Sequence, residues 1–186
     1  FNIQEIKEKL LKLQKDGLAK LLRKSEYDII AIQELINIFD FRNQIEDVIK
    51  ENNYELILPS VLREHFTCGF IVKNKYCTFG CSDINVSLDK TQNQNNRFAI
   101  LNINKEDKEY KIVNMHIDNH KFKVDNYGDI IVGDMNAYSK KQVSNNKKSA
   151  NVKFLKDIER KGYKRVGNND DYTWKSNGEE KCLDHI

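Results

Sequence analysis

Four polar side chains in this chain stand at the tips of apolar runs, where a strand delivers its last residue to the rim of a sheet. The first run is Ile130-Ile131-Val132-Gly133-Asp134-Met135-Asn136. Ile130 to Val132 read as a strand buried on both faces. Gly133 permits a turn or a close approach at its end. In an extended segment Asp134 and Asn136 point the same way, so a carboxylate and an amide project together. Taken alone, Asp-x-Asn equally fits a strand running into an Asp/Asn turn. The second run, Tyr27-Asp28-Ile29-Ile30-Ala31-Ile32-Gln33-Glu34, is opened by Asp28 and ended by Gln33-Glu34. A carboxylate at a buried strand tip needs a partner, because an unpaired buried charge is costly. A lysine is one such partner and a divalent cation another. Mg2+ takes only one or two carboxylates and fills its octahedron with water and phosphate oxygens. His116 ends the third run, Ile112-Val113-Asn114-Met115-His116, as a surface histidine or a catalytic group. Asp184 is the fourth acid, in Cys182-Leu183-Asp184-His185-Ile186.

The elements that must carry these tips can be read from periodicity. Phe1 to Ile3 looks like the tail of a strand. Gln4 to Lys24 reads as an amphipathic helix with Ile6, Leu10, Leu13, Leu21 and Leu22 on one face and Gly17 as a weak point. Phe41 to Asn52 gives a second helix with Phe41, Ile45, Val48 and Ile49 inward, and Asn151 to Lys161 a third with Val152, Leu155 and Ile158 inward. Further strands are expected at Tyr54–Leu58 and Phe66–Val72, where Gly69 signals a bulge or close approach. Asn85 to Asn96 reads as a polar loop. Arg97 opens the strand Phe98–Ile103, whose antiparallel neighbour is Tyr110–His116 across a turn at Asn104–Glu109. Tyr172-Thr173-Trp174 and Cys182–Ile186 read as two strands around a turn at Lys175–Lys181. Strands alternating with three helices argue a layered α/β protein.

The chain of 186 residues suits one domain with a real core, and its net charge of +3 permits an anionic partner without demanding one. The four cysteines contain no C-x-x-C pair, which argues against a metal finger and leaves reduced thiols as the default. No apolar run is long enough to span a membrane, so a cytoplasmic location is the default expectation. The chain starts at Phe1 rather than Met, so the native N-terminus is expected to lie upstream.

Taken in order, these stretches resemble the endonuclease/exonuclease/phosphatase superfamily of metal-dependent phosphoesterases. Its members include pancreatic-type deoxyribonucleases, abasic-site endonucleases, neutral sphingomyelinases and inositol-polyphosphate phosphatases. Ile30-Ala31-Ile32-Gln33-Glu34 looks like its Q-E metal motif, and Asn2 like the Asn closing its first strand. Asn114-Met115-His116-Ile117 resembles its N-x-H strand, and Gly133-Asp134-Met135-Asn136 its G-D-x-N signature. Tyr172-Thr173-Trp174 with Leu183-Asp184-His185-Ile186 resembles its aromatic hairpin followed by Asp. The resemblance spans the whole chain. It implies a four-layer α/β sandwich of two packed mixed sheets flanked by helices, with the site at one end of the sheets.

The same resemblance implies a role for each residue. Glu34, with Asn2, would hold Mg2+, Mn2+ being the alternative, and the metal would neutralise phosphate charge. Asp134 would orient or deprotonate the attacking water. Asn136 would hydrogen-bond a phosphate oxygen, and His116 would contact the phosphate or the leaving oxygen. Asp184 completes the catalytic set, and Arg97 is a candidate phosphate contact. In the family the Asp matched by Asp184 orients a histidine in a later S-D-H motif, which is not present before Ile186. His185 does not take that role, since neighbouring strand residues face opposite ways. The residues between His116 and Asp134 are too few for the helix that relatives carry there. The expected domain is therefore 1–186, short of its first-strand start, its S-D-H motif and some internal loop residues.

The residues after G-D-x-N bear on the substrate. Ala137-Tyr138 differs from the Tyr-Arg of inositol-polyphosphate phosphatases, and no acidic segment of the abasic-site kind comes next. Ser139-Lys140-Lys141 and Asn145-Asn146-Lys147-Lys148 form a basic stretch suited to a polyanion, or else a solvated charge run. The expectation is a Mg2+-dependent phosphodiester hydrolase, first of all a nuclease with nucleic acid as substrate. The alternatives are a sphingomyelinase-like phospholipid phosphodiesterase and a catalytically silent nucleic-acid-binding module. No sequence feature indicates an oligomeric state.

Overall fold

The computed structural model describes residues 3–36, 39–59, 66–77, 84–88, 98–117, 128–136, 150–164, 166, 174–176, 179–181 and 184–185. Two helices come from the first third of the chain, α1 (Ile3–Lys24) and α2 (Phe39–Glu51), and α3 (Ala150–Arg160) from near its end. Between them run β1 (Ile29–Ile36), β2 (Tyr54–Ile57), β3 (Phe66–Lys73), β4 (Ile84–Leu88), β5 (Phe98–Lys105), β6 (Lys108–His116) and β7 (Ile130–Asp134). After α3 come three short strands, β8 (Trp174–Ser176), β9 (Glu179–Lys181) and β10 (Asp184–His185).

The strands form a three-stranded sheet of order β1-β3-β2, a five-stranded sheet of order β10-β7-β6-β5-β4, and the β8-β9 hairpin. Alternation along each strand decides what lies between the layers. In β3, Cys68, Phe70 and Val72 face the other sheet and pack on Ala99 and Leu101 of β5. Ile71 faces outward, into a cluster with Leu11 and Leu22 of α1 and Ile45 and Ile49 of α2. On the far side Val113, Met115, Ile117 and Ile131 pack against Phe154 and Ile158 of α3. Helices, sheet, sheet and helix thus make four layers, as expected. The smaller sheet, however, is antiparallel throughout, and only the larger one is mixed, through the parallel β6-β7 pair.

Several local expectations are corrected. Ile3 opens α1 rather than ending a strand, while Phe1 and Asn2 lie outside the described residues. The buried stripe of α1 is Leu11 and Leu22 with Leu18 partly covered. Leu10, Leu13 and Leu21, expected inward, are 37%, 62% and 40% exposed, because leucines occur on more than one side of this helix. Ile84 to Leu88 is an edge strand rather than loop, its Ile84, Val86 and Leu88 alternating with Asn85 and Ser87. Residues 89–97, including Arg97, lie outside the described residues. The β5-β6 turn is tighter than expected. It needs only Glu106 and Asp107, both left-handed at φ 48° and 62°, the pair of conformations that matches strand twist in a two-residue hairpin. Near the C-terminus the hairpin falls inside the stretch expected to be a turn, with Trp174 opposite Lys181.

Gly69 marks a close approach: a Cβ there would collide with the Leu58 side chain and lie 2.9 Å from the Ile57 carbonyl oxygen. Ile130 and Val132 are not buried on both faces. Ile131 is covered, but Ile130 is 45% exposed and borders a hollow of about 140 Å³ between β7 and the end of α3. Cys68 is buried and Cys77 half-buried. No helix among the described residues is long and apolar enough to cross a membrane.

Candidate active site

His116 and Asp134 are brought together by the parallel ladder. Its register sets Ile112 opposite Ile130, and so, at the far end, His116 opposite Asp134. His116 lies on the inner face of β6, between the sheets, and its side chain is 9% exposed. Its Nε2 stands 4.0 Å from Asp134 Oδ2 and 3.9 Å from Glu34 Oε1. These are ion-pair separations, longer than hydrogen bonds. An imidazole is thus flanked by two carboxylates drawn from different sheets.

Asp134 is fixed by the turn that succeeds it. Its Oδ1 accepts the Asn136 backbone N–H at 2.8 Å, and its carbonyl accepts the Ile117 N–H at 2.9 Å. Oδ2 is the oxygen left facing the imidazole. Asn136 has φ 46°, so the segment is not extended and the two side chains do not project in parallel. The Asn136 amide donates to the Ile117 carbonyl at 2.9 Å. The Asp/Asn turn is the plainer of the two readings of this motif, and it is the one that holds the carboxylate in place.

Gly133 allows the ladder to continue up to Asp134. Its φ is 137°, and a Cβ would collide with the Met115 carbonyl and lie 2.9 Å from the Met115 C and N atoms. Any side chain here would push β7 away from β6.

Glu34 arrives from the other sheet by a different device. β1 does not end at Gln33-Glu34 but continues to Ile36, through a register shift between Ile32 and Leu35. Ile32 pairs with Gly69 and Leu35 with Thr67, so Gln33 and Glu34 together oppose Cys68 in a β-bulge. Glu34 itself is left-handed, φ 53°, a conformation that costs a residue with a Cβ about 1–3 kcal/mol. Its side chain is 68% exposed and is turned toward His116. Its carbonyl accepts from Gln14 Nε2 of α1 at 3.2 Å.

Two residues that belong to the Q-E and N-x-H motifs, but to which the sequence assigns no role, lie directly beneath the site. Asn114, fully buried, donates from Nδ2 to the Ile32 carbonyl and to the Gly69 carbonyl, each at 2.8 Å. Gln33 Nε2 donates to Asn114 Oδ1. Asn114 shares a strand face with His116, two positions on, and that parity is the signal that could have marked it.

Asp184 is placed by backbone register only: β10 pairs antiparallel with β7 and sets Asp184 opposite Asp134, with His185 opposite Gly133. Asn2 and Arg97, expected as metal and phosphate ligands, lie outside the described residues. Among the described residues no group of three or more His, Cys, Asp or Glu is gathered as a metal cage. The two carboxylates that face His116, from Glu34 and Asp134, offer hard oxygens. Their type and small number fit Mg2+, which relies on few protein ligands.

No family model matches the chain, and no curated protein does either. Among solved structures, the endonuclease domain of TRAS1, a telomere-specific non-LTR retrotransposon, is similar over 94% of this chain and 78% of that one. The TM-score is 0.63 at 15% sequence identity. D. rerio TDP2 complexed with a single-strand DNA product aligns over 61% of this chain and 42% of its own, with TM-score 0.40 and 16% identity. A Cimex nitrophorin, as a ferrous NO complex, aligns over 89% and 77%, with TM-score 0.46 and 13% identity. The layers, the sheet order and the match to the TRAS1 domain agree: the chain has a four-layer α/β sandwich fold, shared with that endonuclease domain.

Proposed function

We propose that this protein is a Mg2+-dependent phosphodiester hydrolase that cleaves nucleic acid. The observation that carries the proposal is the meeting of His116 with Asp134 and Glu34 at the common end of the two sheets. The likeness in fold to an endonuclease domain supports the same reading.

In this mechanism Asp134 orients or deprotonates the attacking water. Its turn to Asn136 fixes one carboxylate oxygen and directs the other at the reacting groups. His116, held on a rigid ladder, contacts the phosphate or the leaving oxygen and can share a proton there. Asn136 steadies the loop through the Ile117 carbonyl and, in this reading, also presents its amide to a phosphate oxygen. Glu34, with Asn2, holds the metal, Asp184 supports the Asp134 side, and Arg97 contacts phosphate. Bound Mg2+ supplies neutralisation of phosphate charge as negative charge develops.

The test is incubation of the protein with plasmid DNA, single-stranded RNA and sphingomyelin, each with Mg2+ or EDTA, with Glu34→Gln alongside. Cleavage of a nucleic acid that EDTA abolishes and Glu34→Gln reduces by roughly two to three orders of magnitude is the expected result. Cleavage of sphingomyelin alone would move the protein to the phospholipid branch. Nucleic-acid binding in EDTA without turnover would make it a silent module of this fold.

A further inference from the structure

We infer that the amide pair of half-buried Gln33 and buried Asn114 is a positioning device for Glu34, setting the bulge that aims its carboxylate at His116. The inference rests on the proposed role of Glu34 as the metal-holding acid, and it adds residues that contact neither metal nor substrate.

Left-handed Glu34 is unfavourable, and a backbone in such a state persists only where its surroundings over-determine it. The surroundings here are specific. Asn114 Nδ2 holds the Ile32 carbonyl, which belongs to the last paired residue before the bulge. The same nitrogen holds the carbonyl of Gly69, the partner of Ile32 across the ladder. Gln33, the first residue of the bulge, is tied to Asn114 Oδ1 by its own amide. Gln14 of α1 takes the Glu34 carbonyl from the outer side. The bulge is therefore gripped from both faces of the smaller sheet.

Asn114 also links the bulge to the other sheet. It lies two residues before His116 on β6, on the same face of the strand. One side chain thus couples the strand carrying His116 to the bulge carrying Glu34. A buried amide with both N–H groups and its oxygen engaged has one orientation, and so transmits position between sheets more faithfully than apolar packing would. Gly69 contributes by lacking a side chain where β3 meets Leu58 and Ile57. Changing a residue that orients a metal ligand in this way commonly costs about 10–100-fold in metal affinity.

Gln33→Ala is the deciding variant, since Gln33 is half-buried and its loss removes one hydrogen bond. Asn114→Asp, which sets acceptors against two carbonyls, is a harsher companion that is expected to loosen the whole sheet interface. Three readouts apply to the full chain: thermal melting, the carbon chemical shifts of Glu34 by NMR, and Mg2+ titration by calorimetry and by rate. In Gln33→Ala the Glu34 shifts are expected to leave their left-handed values. The Mg2+ needed for half-saturation is expected to rise about tenfold or more, while the rate at saturating Mg2+ falls much less. Wild-type Glu34 shifts and an unchanged Mg2+ midpoint in folded Gln33→Ala would overturn the inference. So would a lowered melting temperature without movement at Glu34, which would make the pair a structural staple. Should the wild type cleave no phosphodiester, the proposed function falls, yet the Glu34 shifts in Gln33→Ala still decide whether the amide pair sets the bulge.

Discussion

β1 carries one acid at each end, and the two are held in opposite ways. At its start Asp28 faces Lys73 Nζ at 3.2 Å and Lys75 Nζ at 3.7 Å, on an ordinary run of backbone. At its far end Glu34 sits in a bulge, left-handed, with His116 as its ion-pair partner among the described residues. Both carboxylates are more than half exposed. Exposure therefore does not separate them, and neither does residue chemistry. Backbone geometry and the choice of partner do. Lysines neutralise Asp28 where it stands. Glu34 is pointed at an imidazole and a second carboxylate, an arrangement that adds negative charge at one place and suits a cation.

The largest expected effect comes from that difference in backbone. Glu34→Gly removes the carboxylate and at the same time the Cβ that makes φ 53° unfavourable. Activity should fall by roughly two to three orders of magnitude. Stability should rise, by about 0.5–1 kcal/mol, as left-handed strain is relieved and offset in part by the entropy of glycine. Chemical denaturation read beside the Mg2+-dependent rate checks both. A less stable Glu34→Gly would mean that the bulge is not strained and that the two ends of β1 are alike. Asp28→Gly is the control, expected to lose stability and keep its rate.

How much of this is legible in the sequence depends on the scale of the signal. The tips themselves are, since Glu34, His116 and Asp134 each interrupt an apolar run and the layers pack those runs side by side. Their common placement needs only the order of strands. The bulge is hidden because Ile29 to Ile36 is apolar on both sides of Gln33-Glu34. A register shift comes from what the partner strand and Asn114 demand, and both are distant in sequence. Asn136 is ambiguous for a local reason. Asp-x-Asn supports an extended pair or a turn, and the Ile117 carbonyl, available to the Asn136 amide, favours the turn. In α1 the leucines offer more than one stripe, and the docking of α2 through Ile45 and Ile49 selects Leu11, Leu18 and Leu22.

The smallest effect belongs to the quiet end of β1, and it carries a sign that can be checked. Burial raises the Asp28 carboxyl, but the Lys73 and Tyr76 hydrogen bonds and the charges of Lys73 and Lys75 outweigh that and hold its pKa below 3.8. A folded-state pKa below the unfolded one means that the unfolded chain binds the proton more readily. The stabilisation is therefore present above pH 3.8 and is lost as pH falls through the folded-state value. Half exposure and solvent screening limit it to less than about 1 kcal/mol. Asp28→Asn should accordingly lower stability slightly at neutral pH, and the difference from the wild type should close below pH 3.8 and shrink in high salt. Its Mg2+-dependent rate should match the wild type throughout. A fall in that rate would tie the lysine-paired acid to the site at the other end of the strand, and the contrast between the two ends of β1 would dissolve.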